Sequence, residues 1–322
     1  MKKEDIRIVY MGTPDFAVAS LKALVEGGYH VVGVITMPDK PAGRGHKLQA
    51  SAVKEYALSQ NLPLLQPEKL KDESFLEALR EWKADLQIVV AFRMLPEVVW
   101  NMPRLGTFNL HASLLPQYRG AAPINWAVIN GDKQTGATTF FLTHEIDTGK
   151  IIMQEHIGIG DKENVGSVHD RLMEIGAQLV IKTVDAIIEE KVEAIDQSQF
   201  YKDESELRLA PKIFKDTCHI DWTKDVESIY NLVRGMSPYP AAWSELTTPD
   251  GEKTGMKIFE TEKRKESHHL PAGSIQTDGK SHIDVACQDG FIRLKSVQLA
   301  GKKRMDVASL LNGYKITNEY HF

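Results

Sequence analysis

Cysteine is scarce in this chain of 322 residues, and it contains no long apolar run. The two cysteines, Cys218 and Cys287, belong to no CxxC motif or Cys/His ligand set, which excludes a disulfide scaffold and fits a reducing compartment. The longest apolar stretch, residues 86–92, is interrupted by Gln87 and is far too short to cross a bilayer. No apolar segment follows the basic residues near the start, so no secretory signal is predicted. We expect a cytoplasmic protein.

A strong net charge is also missing. The formal net charge is −5 and charged residues make up 26% of the chain, an ordinary globular composition that argues mildly against a nucleic-acid partner. The charge is uneven, because residues 207–322 carry two more basic than acidic side chains and the rest carries seven more acidic ones. A phosphate-rich partner would therefore have to be held by local clusters of basic residues.

The sequence also lacks the common nucleotide and metal motifs. The first predicted strand, residues 6–10, runs into a turn with one glycine, Gly12, where GxGxxG needs three. Thr13 is predicted to cap a helix whose first residue is Pro14. Neither GxxxxGK[ST] nor HExxH occurs, so we predict no NAD or ATP site at this turn and no metal site.

What the sequence does contain is a repeated strand and helix pattern. Short apolar strands alternate with amphipathic helices up to residue 191, which predicts an α/β domain with a Rossmann-like, mostly parallel sheet. After a polar stretch, short strands separated by Asp-Gly turns predict a small C-terminal β-barrel of OB-like type. The expected organisation is a catalytic domain (residues 1–195), a linker (196–212) and a C-terminal domain (213–322).

One strand carries the candidate chemistry. Asn109 and His111 are two residues apart on the strand at residues 107–111, so their side chains leave the same face. An acid, Asp147, lies in a turn between two later strands. An amide, an imidazole and a carboxylate at one loop cluster could stabilise an oxyanion and move a proton in acyl transfer. By spacing alone, a structural Asn–His pair and a turn-forming Asp are the more common interpretations.

The stretch NLHASLLPQYRGAAPI (residues 109–124), followed by DTG (147–149), resembles the folate-dependent formyltransferase family. The resemblance extends to MGTPDFA (11–17), DKPAGRG (39–45) and AGKKRM (300–305) and covers essentially the whole chain. The last two motifs are more particular to the branch that acts on tRNA.

This resemblance implies an enzyme that transfers a formyl group from 10-formyltetrahydrofolate, a consumed cosubstrate, to the α-amino group of methionyl initiator tRNA. It implies that Asn109, His111 and Asp147 are the catalytic trio, and that the protein is a monomer outside any membrane. The residues implied to contact the folate are consecutive: Ser113, Leu114, Leu115 and Pro116.

Two segments depart from the family pattern. Residues 91–96 (AFRMLP) lack the usual glycine, with Phe92 and Arg93 in the region of the Tyr-Gly pair, and this segment is one residue shorter. Glu145 stands where glycine is usual before the Asp-Thr-Gly turn. Both segments are expected to line the pterin pocket.

The tRNA is expected to meet basic residues outside the trio. The region at residues 37–48 is predicted to be a loop, and its candidate tRNA contacts are Arg44, Lys40 and Lys47. Further candidates are two basic runs, residues 263–265 and 302–304, and two cations near the linker, Lys212 and Lys215. The aromatic residues Trp222, Trp243 and Tyr239 are predicted to be buried instead of stacking on bases.

Two rival functions stay open at this point. A formyltransferase acting on a sugar-nucleotide amine would share the trio and the pocket. A non-catalytic module that binds tRNA or folate would share the fold alone.

Overall fold

The computed structural model describes residues 1–322, which divide into two compact units. Unit 1 comprises Met1–Pro123, Thr135–Ile157 and His169–Leu209. Unit 2 comprises Ile124–Gln134, Gly158–Val168 and Ala210–Phe322. Most of the stretch predicted as a linker thus belongs to unit 1, and two short segments from the first half of the chain belong to unit 2. The predicted domain boundaries themselves stay a prediction.

Ten strands occur before residue 160. They are β1 (Ile8–Gly12), β2 (Val31–Ile35), β3 (Lys40–Ala42), β4 (Lys47–Gln49), β5 (Leu64–Leu65), β6 (Leu86–Val90), β7 (Thr107–His111), β8 (Arg119–Gly120), β9 (Gln134–Phe141) and β10 (Ile151–Gly158). Seven of them form one sheet in the order β10-β9-β7-β6-β1-β2-β5. The block from β7 to β5 is parallel throughout, and β9 joins β7 antiparallel. The predicted mostly parallel sheet is confirmed.

Six helices accompany these strands. They are α1 (Asp15–Glu26), α2 (Ala52–Ser59), α3 (Glu73–Glu81), α4 (Glu97–Trp100), α5 (Pro123–Ile129) and α6 (Val165–Ile188). β1, β2 and β6 are buried along their whole length, and buried apolar side chains of α3 and α4 belong to the same core cluster, as expected for a parallel sheet. No helix of the chain combines the length and apolar character needed to cross a membrane.

The start of α1 differs from the prediction. Pro14 occupies the N-cap position and the helix begins at Asp15, whose carboxylate accepts a hydrogen bond from the Phe16 amide at 2.9 Å. The Thr13 hydroxyl is buried without a partner, so Thr13 does not cap the helix. Asp15, and not Thr13, therefore provides the side chain that accepts a hydrogen bond from a backbone amide at the start of the helix.

The region predicted as a loop at residues 37–48 contains a hairpin. β3 pairs antiparallel with β4, with Pro41 opposite Leu48. Gly43 and Gly45 both have positive φ, which allows the tip to turn. The hairpin base is fixed by Asp39, whose carboxylate accepts hydrogen bonds from Lys54 Nζ at 2.8 and 3.0 Å and from Gln66 Nε2 at 2.9 Å.

Unit 2 is built on an antiparallel sheet. The remaining elements are β11 (Leu209–Ala210), α7 (Val226–Met236), β12 (Ala242–Thr247), β13 (Lys253–Lys265), β14 (Ile275–Thr277), β15 (Ile283–Cys287), β16 (Gly290–Leu299), β17 (Met305–Asp306) and α8 (Val307–Gly313). The sheet order is β12-β13-β16-β15-β14, with β17 on β16. His321 bridges both Thr247 at the end of β12 and Ser274 before β14, so the C-terminus joins the two outer strands. The predicted barrel-like domain is confirmed.

The core of unit 2 contains a helix that the sequence pattern did not predict. Asp225 caps α7 by accepting a hydrogen bond from the Ser228 amide at 2.7 Å. The buried side chains of α7, such as Ile229 and Val233, join the apolar cluster of the sheet. α7 therefore supplies one side of the domain core.

Candidate active site

β7 places Asn109 and His111 at the middle of the sheet. Asn109 is paired in register with Val89 of β6 and Phe140 of β9. The pleat directs both polar side chains to one face, as predicted. The Asn109 side chain is half-buried and makes no hydrogen bond within the protein, so its amide N–H groups are free to bind an external oxygen.

Both nitrogens of His111 face specific partners. Nε2 lies 2.8 Å from the backbone oxygen of Tyr118, and because a carbonyl only accepts, Nε2 carries the hydrogen. Nδ1 lies 3.8 Å from Asp147 Oδ2, close enough for an ion pair when the ring is protonated. The imidazole is 8% exposed and packs edge-on against Phe140. The two ring nitrogens therefore face a fixed carbonyl on one side and the Asp147 carboxylate on the other.

Asp147 lies in a tight turn between β9 and β10. Its φ is +58°, a left-handed conformation that Asp tolerates better than most residues. Its Oδ2 accepts a hydrogen bond from the Gly120 amide at 3.0 Å. The turn also requires Gly149, because a Cβ there would lie 1.6 Å from the Phe141 oxygen. The structure thus brings Asp147 to His111, on the strand face that also carries Asn109.

The segment with the predicted folate contacts follows β7. Ser113, Leu115 and Pro116 are buried, and Leu114 is half-buried. Thr138 Oγ1 accepts from the Leu115 amide at 3.1 Å and donates to the Ser113 oxygen at 2.7 Å, while Gln154 Nε2 donates to the Leu115 oxygen at 2.8 Å. The backbone of this segment is therefore fixed by protein contacts, and Leu114 is the one side chain of the four that is not buried.

The two segments that depart from the family pattern are both present at the surface of unit 1. Arg93 donates hydrogen bonds to the backbone oxygens of Pro67 and Glu68, and its guanidinium lies over the Phe92 ring. Glu145 is exposed in the Asp147 turn, and its backbone oxygen accepts from Thr148 Oγ1 at 3.1 Å.

The α4 helix lies beside the same turn. His144 pairs with Glu97 at 3.6 Å and stacks edge-on against Trp100. This contact joins the turn to the segment after β6, the two regions in which the departures occur.

The predicted tRNA-binding cations lie on the β3–β4 hairpin. Lys40, Arg44 and Lys47 are exposed, and no salt bridge or side-chain hydrogen bond involves them. Their positive charge is therefore not compensated by the protein itself.

In unit 2, unlike on the hairpin, several of the candidate basic residues are paired with other side chains. Lys263 binds Glu227 at 2.9 Å, and Arg264 pairs with Asp284 and Glu266. Arg304 donates to Ser296 Oγ at 2.9 Å and lies over Phe259. Lys303 is exposed and has no such partner.

The aromatic residues of unit 2 follow the prediction only in part. Trp222 is buried and donates its indole N–H to Ser244 at 3.0 Å, and Trp243 is half-buried. Tyr239, predicted to be buried, is 83% exposed. It lies between Pro238 and Pro240 in a short connection after α7, where no covering element follows.

Three residues of the site escaped the sequence analysis. Thr138 and Gln154 hold the segment after β7, and Gln197 holds the Asp147 turn through hydrogen bonds described below. A single polar residue in a strand or a polar stretch has no motif around it, so no local signal could have identified these three. The chain contains no group of three or more His, Cys, Asp or Glu side chains placed to hold a metal ion.

Comparison with known proteins assigns the family. The profile described as formyl transferase matches residues 6–184, more than half of the chain, and the profile of the formyl transferase C-terminal domain matches residues 212–315. The chain belongs to the formyl transferase family. The methionyl-tRNA formyltransferase of Parabacteroides distasonis is 71% identical to it over 99% of both chains.

Solved structures share the fold at low sequence identity. HypX from Aquifex aeolicus, in complex with tetrahydrofolic acid, superposes with a TM-score of 0.61 at 16% identity over 95% of this chain. The chain spans about half of the length of HypX, 47%. The N-formyltransferase from Helicobacter canadensis, in complex with folinic acid and dTDP-3-aminofucose, matches with a TM-score of 0.62 at 18% identity, over 93% of this chain and 100% of that one.

Proposed function

We propose that this formyl transferase moves a formyl group from 10-formyltetrahydrofolate to the α-amino group of methionyl initiator tRNA, in the cytoplasm and as a monomer. The observation that carries the proposal is the close approach of His111 Nδ1 and Asp147 Oδ2, 3.8 Å, on the strand face that presents the free amide of Asn109. The 71% identity to a methionyl-tRNA formyltransferase supports this choice of acceptor.

The reaction needs three events that the trio can assist. The unprotonated amine attacks the formyl carbon, and a C–N bond forms while the carbonyl oxygen becomes an oxyanion. The bond from the formyl carbon to N10 of the folate then breaks. The proton lost by the attacking amine balances the proton gained by N10, so the net reaction consumes no acid or base.

Asn109 is the donor available for the oxyanion. Its amide has no partner in the protein, whereas Nε2 of His111 already donates to the Tyr118 oxygen. A preorganised donor of this kind typically lowers the barrier by about 2.7–4 kcal/mol. His111 contributes to the same oxygen only after its ring leaves that carbonyl.

The His111–Asp147 pair handles the proton. Asp147 stabilises the imidazolium that forms and fixes the direction of the ring, and the ring passes the proton of the amine toward N10 of the folate. Both side chains are largely shielded from water, which strengthens their interaction.

The acceptor tRNA would be held by the uncompensated cations of the β3–β4 hairpin. Lys40, Arg44 and Lys47 can contact phosphates, which gives affinity and salt dependence without reading sequence. Folate would lie against the segment of Ser113, Leu114, Leu115 and Pro116, whose backbone is held in place by Thr138 and Gln154.

A competition between acceptors tests this function. The purified protein is incubated with 10-formyltetrahydrofolate and either methionyl initiator tRNA, uncharged tRNA, or amino-sugar nucleotides, and mass spectrometry detects the gain of one formyl group. We expect formylation of the methionyl-tRNA only. Formylation of an amino-sugar nucleotide would favour the rival enzyme, and binding without any turnover would favour a non-catalytic module.

A further inference from the structure

Gln197 is a buried polar residue in an otherwise exposed turn. It opens the 3-10 helix Gln197–Phe200 and is 1% exposed, whereas Ser198, Gln199 and Phe200 are exposed. Burial of an amide costs free energy unless each of its donors and acceptors has a partner. The contacts of this side chain therefore show what its burial achieves.

Both N–H groups of the Gln197 side chain are directed at the Asp147 turn. Nε2 donates to the backbone oxygen of Asp147 at 2.8 Å and to that of Gly149 at 2.8 Å. These two carbonyls flank Thr148, directly after the left-handed backbone conformation at Asp147. One amide group thus closes the turn from outside and opposes relaxation of its backbone.

Arg119 fixes the orientation of this amide. The Gln197 Oε1 accepts from Arg119 Nε at 3.1 Å and Nη2 at 2.8 Å. Because a guanidinium can only donate, the amide oxygen must face Arg119 and the NH₂ group must face the turn. The positive charge also polarises the amide and strengthens its hydrogen bonds to the carbonyls.

The three residues at 118–120 connect these contacts with the trio. The Tyr118 oxygen accepts from His111, the Arg119 guanidinium holds Gln197, and the Gly120 amide donates to the Asp147 carboxylate. Gln197 and this segment therefore hold the Asp147 turn from two sides, through its backbone oxygens and through its carboxylate.

We propose that Gln197 is a positioning residue that keeps the Asp147 carboxylate facing His111, and that Arg119 acts through it. The inference rests on the proposed function, in which Asp147 assists proton transfer. Gln197 touches no reacting group itself. Loss of its amide lets the Asp147 backbone relax, and the carboxylate moves away from Nδ1.

Steady-state kinetics with substitutions at Gln197 test the proposal. Gln197→Met keeps the length of the side chain and removes both carbonyl contacts, so we expect kcat to fall about 10- to 100-fold, as for misplacement of a catalytic group by an ångström. KM for the folate and for the tRNA should stay within about threefold, because neither binding surface changes. Gln199→Met, two residues along in the same turn, is the matched control and should keep wild-type kinetics.

A second variant separates the carbonyl contacts from simple packing. Gln197→Glu can still pair with Arg119, but it presents no N–H to the Asp147 and Gly149 oxygens. We expect kcat to fall at least as far as in Gln197→Met. Wild-type kcat in Gln197→Glu would overturn the proposal.

Coupling to Asp147 provides a measurement that a purely structural role would not affect. In an Asp147→Asn background, Gln197→Met should cause less than a twofold further loss of kcat, because the carboxylate that it positions is already absent. Full additivity of the two losses would show that Gln197 acts elsewhere and would overturn the inference.

Hydrogen exchange tests the inference without any turnover. In Gln197→Met, the amide of Gly120, which donates to Asp147, should exchange at least tenfold faster than in the wild type and in Gln199→Met. Unchanged exchange would refute the positioning role even in an active enzyme. Faster exchange in a protein that formylates no acceptor would support the positioning role and reject the proposed function alone.

Discussion

The turn that carries Asp147 is held by side chains from other segments, whereas the β3–β4 hairpin that carries Arg44 is held only at its base. Gln197 and the Gly120 amide bind the turn from outside, whereas the hairpin is bound at its base, where Asp39 contacts Lys54 and Gln66 and the Met37 oxygen accepts from Gln66. Beyond that base, Lys40, Arg44 and Lys47 extend into solvent without partners.

This difference suits two functions, transition-state stabilisation at the turn and phosphate binding at the hairpin. A group that stabilises a transition state must be in place before the substrate arrives, because reorganisation during the reaction raises the barrier. Cations that bind phosphates gain from being unpaired, because any internal ion pair would have to break on binding. The turn therefore has the fixed geometry expected of a catalytic element, and the hairpin has the unpaired cations expected of a phosphate-binding surface.

The largest expected effect is at the turn. Asp147→Asn keeps the shape and the acceptor for the Gly120 amide but removes the charge that faces His111. We expect kcat to fall about 10²- to 10⁴-fold, the range typical of a lost acid–base group. Single-turnover rates with pre-bound methionyl-tRNA measure the chemical step directly.

The control for this substitution is Glu193→Gln, which removes an exposed carboxylate of unit 1 whose side chain binds nothing. Its kcat should stay within about twofold of the wild type, as expected for a surface substitution. Equal losses in the two variants would mean that the enzyme responds to any loss of negative charge in unit 1, and the special role of Asp147 would be rejected.

A smaller effect is expected at the hairpin. Arg44→Ala should raise KM for the tRNA about tenfold and lower the slope of log KM against log salt by about 0.9, the change for one lost phosphate contact. The dissociation constant of the folate should not change, because the hairpin includes none of the residues predicted to bind it. Steady-state kinetics at several salt concentrations supply the slope.

Lys71→Ala serves as the control, because Lys71 is an exposed cation of unit 1 without a partner. It removes one positive charge and should leave the salt slope unchanged. If Lys71→Ala and Arg44→Ala weaken tRNA binding equally, the tRNA responds to overall charge and the contrast between hairpin and remaining surface disappears.

A still smaller effect is expected at the hairpin base, and it depends on pH. Hydrogen bonds from Lys54 and Gln66 lower the pKa of Asp39, so the folded hairpin favours the ionised carboxylate. The stabilisation is present above the unfolded pKa of about 3.9 and is lost as the pH falls through the lower folded-state pKa. Asp39→Asn should remove this pH dependence.

Hydrogen exchange of residues 37–50 measures this effect. At pH 6 the hairpin of Asp39→Asn should exchange about threefold to tenfold faster than the wild type, and the difference should shrink below pH 4, because protonation of Asp39 removes the same charged hydrogen bonds from the wild type. Asp72→Asn, which removes an exposed carboxyl without a side-chain hydrogen bond, is the control. A difference that persists unchanged to pH 3 would contradict the role of ionised Asp39.

Much of unit 1 was predictable because its strands and helices leave periodic signals. The strand with Asn109 and His111 was predicted at its observed bounds, and period-2 spacing placed both side chains on one face. The resemblance to a family then added Asp147, which spacing alone left open. The spacing of residues along the sequence does not show which distant segments approach each other in the folded chain.

Gln197 illustrates this limit. It lies in a polar stretch with the composition of a linker, and only the folded chain brings it to the Asp147 turn. The α7 helix was missed for a different reason: Val226, Ile229, Tyr230 and Val233 have the spacing of an amphipathic helix, but only short strands were assigned after the polar stretch. Tyr239 was assigned to the core because aromatic residues in β domains usually are buried, but the chain provides nothing to cover it.

The smallest expected effects compare two neighbours in unit 2, Lys303 and Arg304. Arg304 is engaged with Ser296 and the Phe259 ring, whereas Lys303 has no partner, as on the hairpin. We expect Lys303→Ala to raise KM for the tRNA about twofold without a change in stability, because an unpaired cation near a phosphate contributes only weak, screened attraction. Arg304→Ala should instead lower the free energy of unfolding by about 1 kcal/mol through loss of its ring contact, with little effect on KM. Urea titrations and tRNA kinetics on both variants measure the two quantities. The reverse pattern, with Arg304 affecting tRNA use and Lys303 affecting stability, would show that internal pairing does not decide which cations of this chain serve the tRNA.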